Sequence, residues 1–204
     1  MTIDKSFLRL GFISLAIFCL GNAGASFAEQ PIEQVKKTVE RVTEILQAPG
    51  AESGAIKAER RRMIRQILLT RFDFAEMAKG SLGNYWKNQN CRQEEFVSAF
   101  ADFVQNAYMS TLESYKGETI VYLRQRVEQN LAQVDTQIVP VNGEPSSVSY
   151  KLHLAAGEWK VYDVVIENIS LVGNYRSQFS RVLASSSFDE LLQKLRAKGA
   201  EKTI

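Results

Sequence analysis

Residues 158–179 read EWKVYDVVIENISLVGNYRSQF. The first half has the pattern of a strand, with Trp159, Val161, Asp163 and Val165 on one side and Tyr162, Val164 and Ile166 on the other, so β-branched and aromatic residues occupy both faces. Apolar residues on both sides imply that both faces are covered, or that one of them lines a cavity. The strand stops at Glu167-Asn168. Ser170 then stands where a helix N-cap belongs, ahead of Leu171, Val172, Tyr175, Phe179 and Val182 at helical spacing. One continuous stretch therefore turns from a central strand into a helix that covers the sheet.

Working back from it, the chain keeps a period near two as far as Gly117, giving strand candidates at 118–127, 131–141, 147–155 and 158–168. Asn142-Gly143 and Ala156-Gly157 mark short turns, so neighbouring strands are expected to be antiparallel hairpins. The third is one-sided: Val148, Tyr150, Leu152 and Leu154 face one way, and Ser147, Ser149, Lys151 and His153 the other. Ahead of Gly117 the period is helical. Residues 31–47 carry Ile32, Val35, Val39, Val42, Ile45 and Leu46 at spacings of three and four, and Ala48-Pro49-Gly50 stops them. Residues 55–70 set Ile56, Met63, Ile67 and Leu68 against a basic run from Lys57 to Arg65, which is either a solvated face or a docking surface for an acidic partner or anionic headgroups. Asp73 and Glu76 have capping-box spacing before a short helix. The longest helix, 93–115, carries Phe96, Phe100, Phe103, Val104, Tyr108 and Leu112, and a last one at 188–197 closes the chain. The expected fold is α+β: N-terminal helices and a long helix packed on a curved antiparallel four-stranded sheet, with C-terminal helices.

The first 28 residues belong outside that fold. Lys5 and Arg9 precede an apolar stretch too short for a resident membrane span, and Ser26-Phe27-Ala28 fits a small-x-small cleavage site, so a Sec-type leader of residues 1–28 and a single domain of residues 29–204 are expected. Cleavage removes Cys19 and leaves Cys91 as the one thiol, so no internal disulfide is available in an oxidising compartment. The formal charge of +2 stays near neutral without the leader, which argues against nucleic acid as a partner.

No catalytic constellation emerges. His153, the only histidine, lies on the polar side of its strand, where a surface imidazole is expected, and one histidine with one cysteine cannot supply a zinc or haem site. A Cys91–His153 thiol enzyme or hydrolase has no local signature around either residue. Asp163 and Glu167, four residues apart on one strand, are about 13 Å apart, too far for an acid–base couple. What the chain has in excess is apolar and aromatic surface. Packed solid it makes a plain core, and with the long helix held off the sheet it makes the wall of a pocket. Composition and periodicity leave both open, so a non-catalytic interaction module with a solid core stands beside a ligand carrier.

Residues 71–86, RFDFAEMAKGSLGNYW, together with WKVYDVVIENISLVGNYRSQF, resemble the MlaC or toluene-tolerance family of periplasmic phospholipid-binding proteins, over roughly residues 31–198. The resemblance implies a soluble periplasmic carrier, with no enzymatic activity and no cofactor. It would shuttle a diacyl glycerophospholipid between an outer-membrane lipoprotein–porin complex and an inner-membrane ABC transporter with a lipid-binding subunit, in the service of outer-membrane lipid asymmetry and solvent tolerance. Only transient membrane contact and a monomer are expected. It also implies an apolar pocket between helices and sheet. On side-chain alternation its wall would hold Phe100, Val104 and Tyr108 from the long helix, Val148 and Tyr150 from the third strand, and Val164, Ile166, Ile169 and Leu171 from the signature stretch. Arg176 would meet either a headgroup phosphate or a carboxylate such as Asp163.

Overall fold

The computed structural model describes residues 29–49 and 54–200; the expected leader, residues 1–28, lies outside them. The chain runs α1 (Pro31–Gln47), α2 (Gly54–Arg71), α3 (Phe74–Leu82), a 3₁₀ segment (Gly83–Arg92) and α4 (Gln93–Glu113). It continues through β1 (Thr119–Glu128), β2 (Leu131–Val139), β3 (Ser146–Ala155), β4 (Glu158–Ile166) and β5 (Ile169–Ser170), then α5 (Leu171–Ser185) and α6 (Phe188–Ala200). The strands form one antiparallel sheet in the order β1-β2-β3-β4-β5. The fifth strand goes beyond the four expected. Glu167 and Asn168 both adopt left-handed φ angles, 48° and 65°, and fold Ile169 and Ser170 back onto β4 as a two-residue hairpin. No glycine announces this turn in the sequence.

Two bulges shape the sheet. The β1–β2 register skips Leu123, and the β3–β4 register skips Tyr162, since Leu152 pairs with Val161 and Lys151 with Asp163. A bulge bends a strand and exchanges the faces beyond it. Trp159 and Val161 before Tyr162, and Val164 and Ile166 after it, therefore all border the same concave side of the sheet. The strict alternation read from the sequence, with 159, 161, 163 and 165 on one side, is corrected by this extra residue. Asp163 faces away from the cavity, toward the start of α5.

The free edge of β4 is covered rather than exposed. Gln34 of α1 behaves like a strand there: its Nε2 donates to Trp159 O at 2.5 Å and its Oε1 accepts from Trp159 N at 3.2 Å. Next along the edge, Asp73 N donates to Val161 O at 2.8 Å and Phe72 bridges Val161. β5 then closes the last turn. Across the sheet, Ile32 N donates to Gln125 Oε1 of β1 at 3.0 Å, so the start of α1 ties the two outer strands together at the end away from the β2–β3 hairpin.

The helical stack has its own core. Phe96, Phe100, Tyr175, Phe179 and Phe188 are buried between α4, α5 and α6, with Phe100 edge-on to Tyr175 and Phe179 at centroid separations of 5.8 and 6.1 Å. Each such ring pair is worth about 0.5–1.5 kcal/mol beyond its area. The start of α5 is pinned twice: Ser170 Oγ accepts from Gly173 N at 2.9 Å, and the buried Asp163 carboxylate accepts from Val172 N at 3.1 Å and from Ser170 Oγ at 2.7 Å. Asp163 also pairs with Lys151 at 3.3 Å. Arg176 is not its partner, since its Nε donates to Gly80 O at 2.6 Å and fastens α5 to α3. Asp73 caps α3 as expected, with Oδ1 accepting from Glu76 N at 2.9 Å.

Candidate functional site

Between α1, α2, the second half of α4 and the concave side of the sheet lies a cavity of about 500 Å³, within the range of roughly 300–1,000 Å³ typical of ligand pockets. α4 divides its apolar stripe by position. Phe96, Ala99 and Phe100 pack against α5 and α6, and from Val104 onward Val104, Tyr108 and Leu112 border the cavity. The aromatic stripe is thus both solid core and pocket wall, in consecutive halves.

The floor is furnished by Trp159, Val161, Leu152, Phe74 and Met77, all buried. α1 contributes Val35, Val39, Val42 and Leu46, and α2 contributes Leu68. The exposed residues on its border, Thr111, Ser114, Glu144 and Ile166, come from the C-terminal turns of α4, the β2–β3 connection and the end of β4, and these define the mouth. Polar side chains border the cavity at that end, Ser114, Tyr115, Glu118, Glu144 and Ser146, and also along the helices, where Gln34, Thr38, Thr43, Arg71 and Gln105 stand. Glu118 accepts from Lys116 N at 2.7 Å, and backbone hydrogen bonds, first that of Lys116, hold its carboxyl below the usual carboxylate range.

Of the nine residues expected on the wall, seven border this cavity: Val104, Tyr108, Val148, Tyr150, Val164, Ile166 and Leu171. Phe100 does not, being fully buried among Phe96, Tyr175 and Phe179 on the other flank of α4. Ile169 does not either; it is 64% exposed, because the β4–β5 hairpin turns it outward. The contributions of α1, Leu68 and the β1–β2 residues Ile120 and Ile138 went unassigned in the sequence. Their helical or alternating pattern showed which side was buried, but not that the neighbour was a void.

The other candidate chemistry does not assemble. His153 is no free surface imidazole: its Nε2 lies 2.9 Å from Asp73 Oδ2 and its ring packs edge-on to Tyr162. Cys91 is exposed in the 3₁₀ segment, and among the described residues no hydrogen bond joins it to His153. Among the described residues no group of three His, Cys, Asp or Glu could hold a metal ion, and no helix is long and apolar enough to cross a membrane. The basic run of α2 is largely engaged within the chain. Arg61 forks onto Glu113 at 2.6 and 2.7 Å, Arg60 donates to Ala48 O at 2.5 Å, and Arg62 pairs with Glu59 at 2.6 Å.

Fold and site together define an α+β protein whose helices stand off an antiparallel sheet and leave a largely apolar cavity between them. Residues 36–197 match the family described as MlaC protein, and the chain belongs to that family. It is 24% identical over 150 residues to the intermembrane phospholipid transport system binding protein MlaC of Haemophilus influenzae, an overlap covering 71% of this chain and 70% of the relative. Its fold superposes with a TM-score of 0.71 on a phospholipid-binding protein from Ralstonia solanacearum solved in complex with a phospholipid, at 22% identity, over 84% of this chain and 98% of the other.

Proposed function

We propose that this protein is a non-catalytic periplasmic carrier of phospholipids, holding acyl tails in the cavity between α1, α4 and the sheet with the headgroup at the mouth by Ser114, Glu144 and Ile166. The observation that carries the reading is the cavity itself: a void of about 500 Å³ walled chiefly by Val, Leu, Ile, Phe, Met, Tyr and Trp side chains. Family membership and the phospholipid held by the Ralstonia neighbour support it. The proposed tail contacts are Val104, Tyr108, Val148, Tyr150, Val164, Ile166 and Leu171.

Energetics support a carrier that does no chemistry. Burying about thirty methylenes at roughly 0.8 kcal/mol each is worth on the order of 25 kcal/mol relative to water, but the competing state is a bilayer that buries the same tails. A cavity close to the bilayer in free energy suffices, and docking on a partner tips the lipid either way. The partners would be membrane-associated: an outer-membrane lipoprotein–porin complex on one side and an inner-membrane ABC transporter on the other. A solid-core interaction module leaves the cavity without a purpose, and the α2 cations it would dock through already have internal partners. The test is extraction: incubation with vesicles of labelled phospholipid, followed by separation, is expected to leave label on the protein, also in the Cys91→Ser, His153→Ala double variant. Label that stays wholly with the vesicles would refute the carrier reading.

A further inference from the structure

Among the described residues three charged side chains border the cavity: Glu118 and Glu144 at the mouth, and Arg71 at the C-terminal end of α2. The cation stands far from the two acids. Arg71 lies beside Glu158, which begins β4, whereas Ile166 at the mouth ends that strand. The residues between them, at about 3.3 Å each, put roughly 25 Å between the two ends. Glu158 does not claim the guanidinium. Its Oε2 accepts from Lys160 Nζ at 2.6 Å, while Arg71 Nη1 stays 3.8 Å away, beyond hydrogen-bond distance. Among the described residues the Arg71 side chain has no other polar partner. It is 35% accessible, so its N–H donors are within reach of a ligand.

A diacyl lipid with its headgroup at the mouth makes no use of this cation. One acyl chain spans about 15 Å, half the hydrocarbon core of a bilayer, so its methyl ends stop short of Arg71. That end of the cavity suits an anion carried at the tip of a single chain. Arg71 and Lys160 set against Glu158 leave one net positive charge there, and a planar carboxylate matches the guanidinium fork with two parallel hydrogen bonds. The neighbouring wall is apolar, formed by Val39, Leu68, Phe72 and Trp159. We propose that the cavity also takes long-chain fatty acids, with the carboxylate on Arg71 and the chain running toward the mouth. This assignment rests on the carrier reading and adds to it a ligand class and a second anchoring point. A monoacyl phosphate offers similar anionic chemistry, but its polar glycerol would follow the phosphate into the apolar stretch beside Leu68 and Trp159, whereas the polarity of a fatty acid ends at its carboxylate.

The test is competition against a fluorescent single-chain probe on the full mature chain, at neutral pH and below the concentration at which the lipids aggregate. Oleate and methyl oleate share the chain and differ in the charge. Wild-type protein is expected to bind oleate about tenfold more tightly, the scale of a hydrogen-bonded charge pair at a partly exposed site. Arg71→Met keeps the unbranched stem and is expected to bring the two within about twofold of each other, while Arg71→Lys keeps part of the preference. Arg71→Gln replaces the methionine variant if that does not fold. A preference for oleate that survives loss of the guanidinium in the methionine or glutamine variant, or is missing from wild type, overturns the assignment. A monoacyl glycerol phosphate with the same chain is the further arm. If it binds more tightly than oleate and loses that advantage in Arg71→Met, the cation belongs to a phosphate and the fatty-acid assignment falls. If wild-type protein binds diacyl phospholipid but neither oleate nor its ester, the inference alone falls; if it binds none of them, the carrier reading falls with it.

Discussion

Replacing Val164 by aspartate puts a carboxylate on the cavity wall. Val164 is 9% exposed and sits opposite Tyr150 on β3, on the concave side that the Tyr162 bulge restores to β4. In the empty protein the new carboxylate reaches whatever water the cavity admits. Once acyl tails fill the space, it must give up that water, at a cost on the order of 3–5 kcal/mol. At 1.4 kcal/mol per decade this weakens lipid binding about a hundredfold to several thousandfold. Ile169→Asp is the matched control, since that side chain is 64% exposed and off the cavity border. Binding is read by titration with a fluorescent phospholipid, and folding by far-ultraviolet circular dichroism. The account expects Val164→Asp to keep its helix content and lose lipid, and Ile169→Asp to keep both. Full lipid occupancy in a folded Val164→Asp variant, or equal losses in the two variants, would refute the reasoning.

Three stability predictions follow from single contacts. A methyl group at Gly80 would stand 2.7 Å from Val172 Cγ1, so Gly80→Ala must force α3 and α5 apart, at about 1–3 kcal/mol, seen as a lower melting temperature. Asp163→Ala removes hydrogen bonds to Ser170 and Val172 and leaves Lys151 unpaired; a loss of about 3 kcal/mol is expected in denaturant unfolding, whereas a loss below 1 kcal/mol would mean that Ser170 alone holds the start of α5. Burial opposes the charge of Asp135, yet hydrogen bonds from Gln133, Arg124 and Ser149 hold it down to about 2. A depressed carboxylate stabilises the fold above its unfolded value near 3.8 and loses that contribution as the pH falls toward 2. Acid unfolding of wild type should therefore steepen between about pH 4 and 2, by about 2 kcal/mol in all, and Asp135→Asn should lack that component.

The elements themselves were legible because each one follows a local rule. The first helix is bounded by Pro31 and Ala48-Pro49, the Ser170 cap and the Asp73 cap form as their positions dictate, and the one-sided alternation of β3 survives intact. What stayed hidden depends on register and on space. Tyr162 gives no signal of being an extra residue, yet it decides which of Val161, Asp163 and Val164 meet the cavity. The Glu167-Asn168 turn takes left-handed backbone without glycine, so β5 and the outward swing of Ile169 could not be foreseen. Phe100 and Val104 lie in the same stripe, four residues apart, and only the seating of α5 and α6 decides that one is core and the other wall. Periodicity shows that a side chain leaves water. Whether its neighbour is another side chain or a void is a property of the assembled fold.

The most direct test of the central claim is the native mass of protein purified from periplasm without detergent, followed by analysis of its organic extract. The account predicts about one phospholipid per chain, released when the protein unfolds. Protein that arrives empty, and remains empty after incubation with phospholipid vesicles, would contradict it.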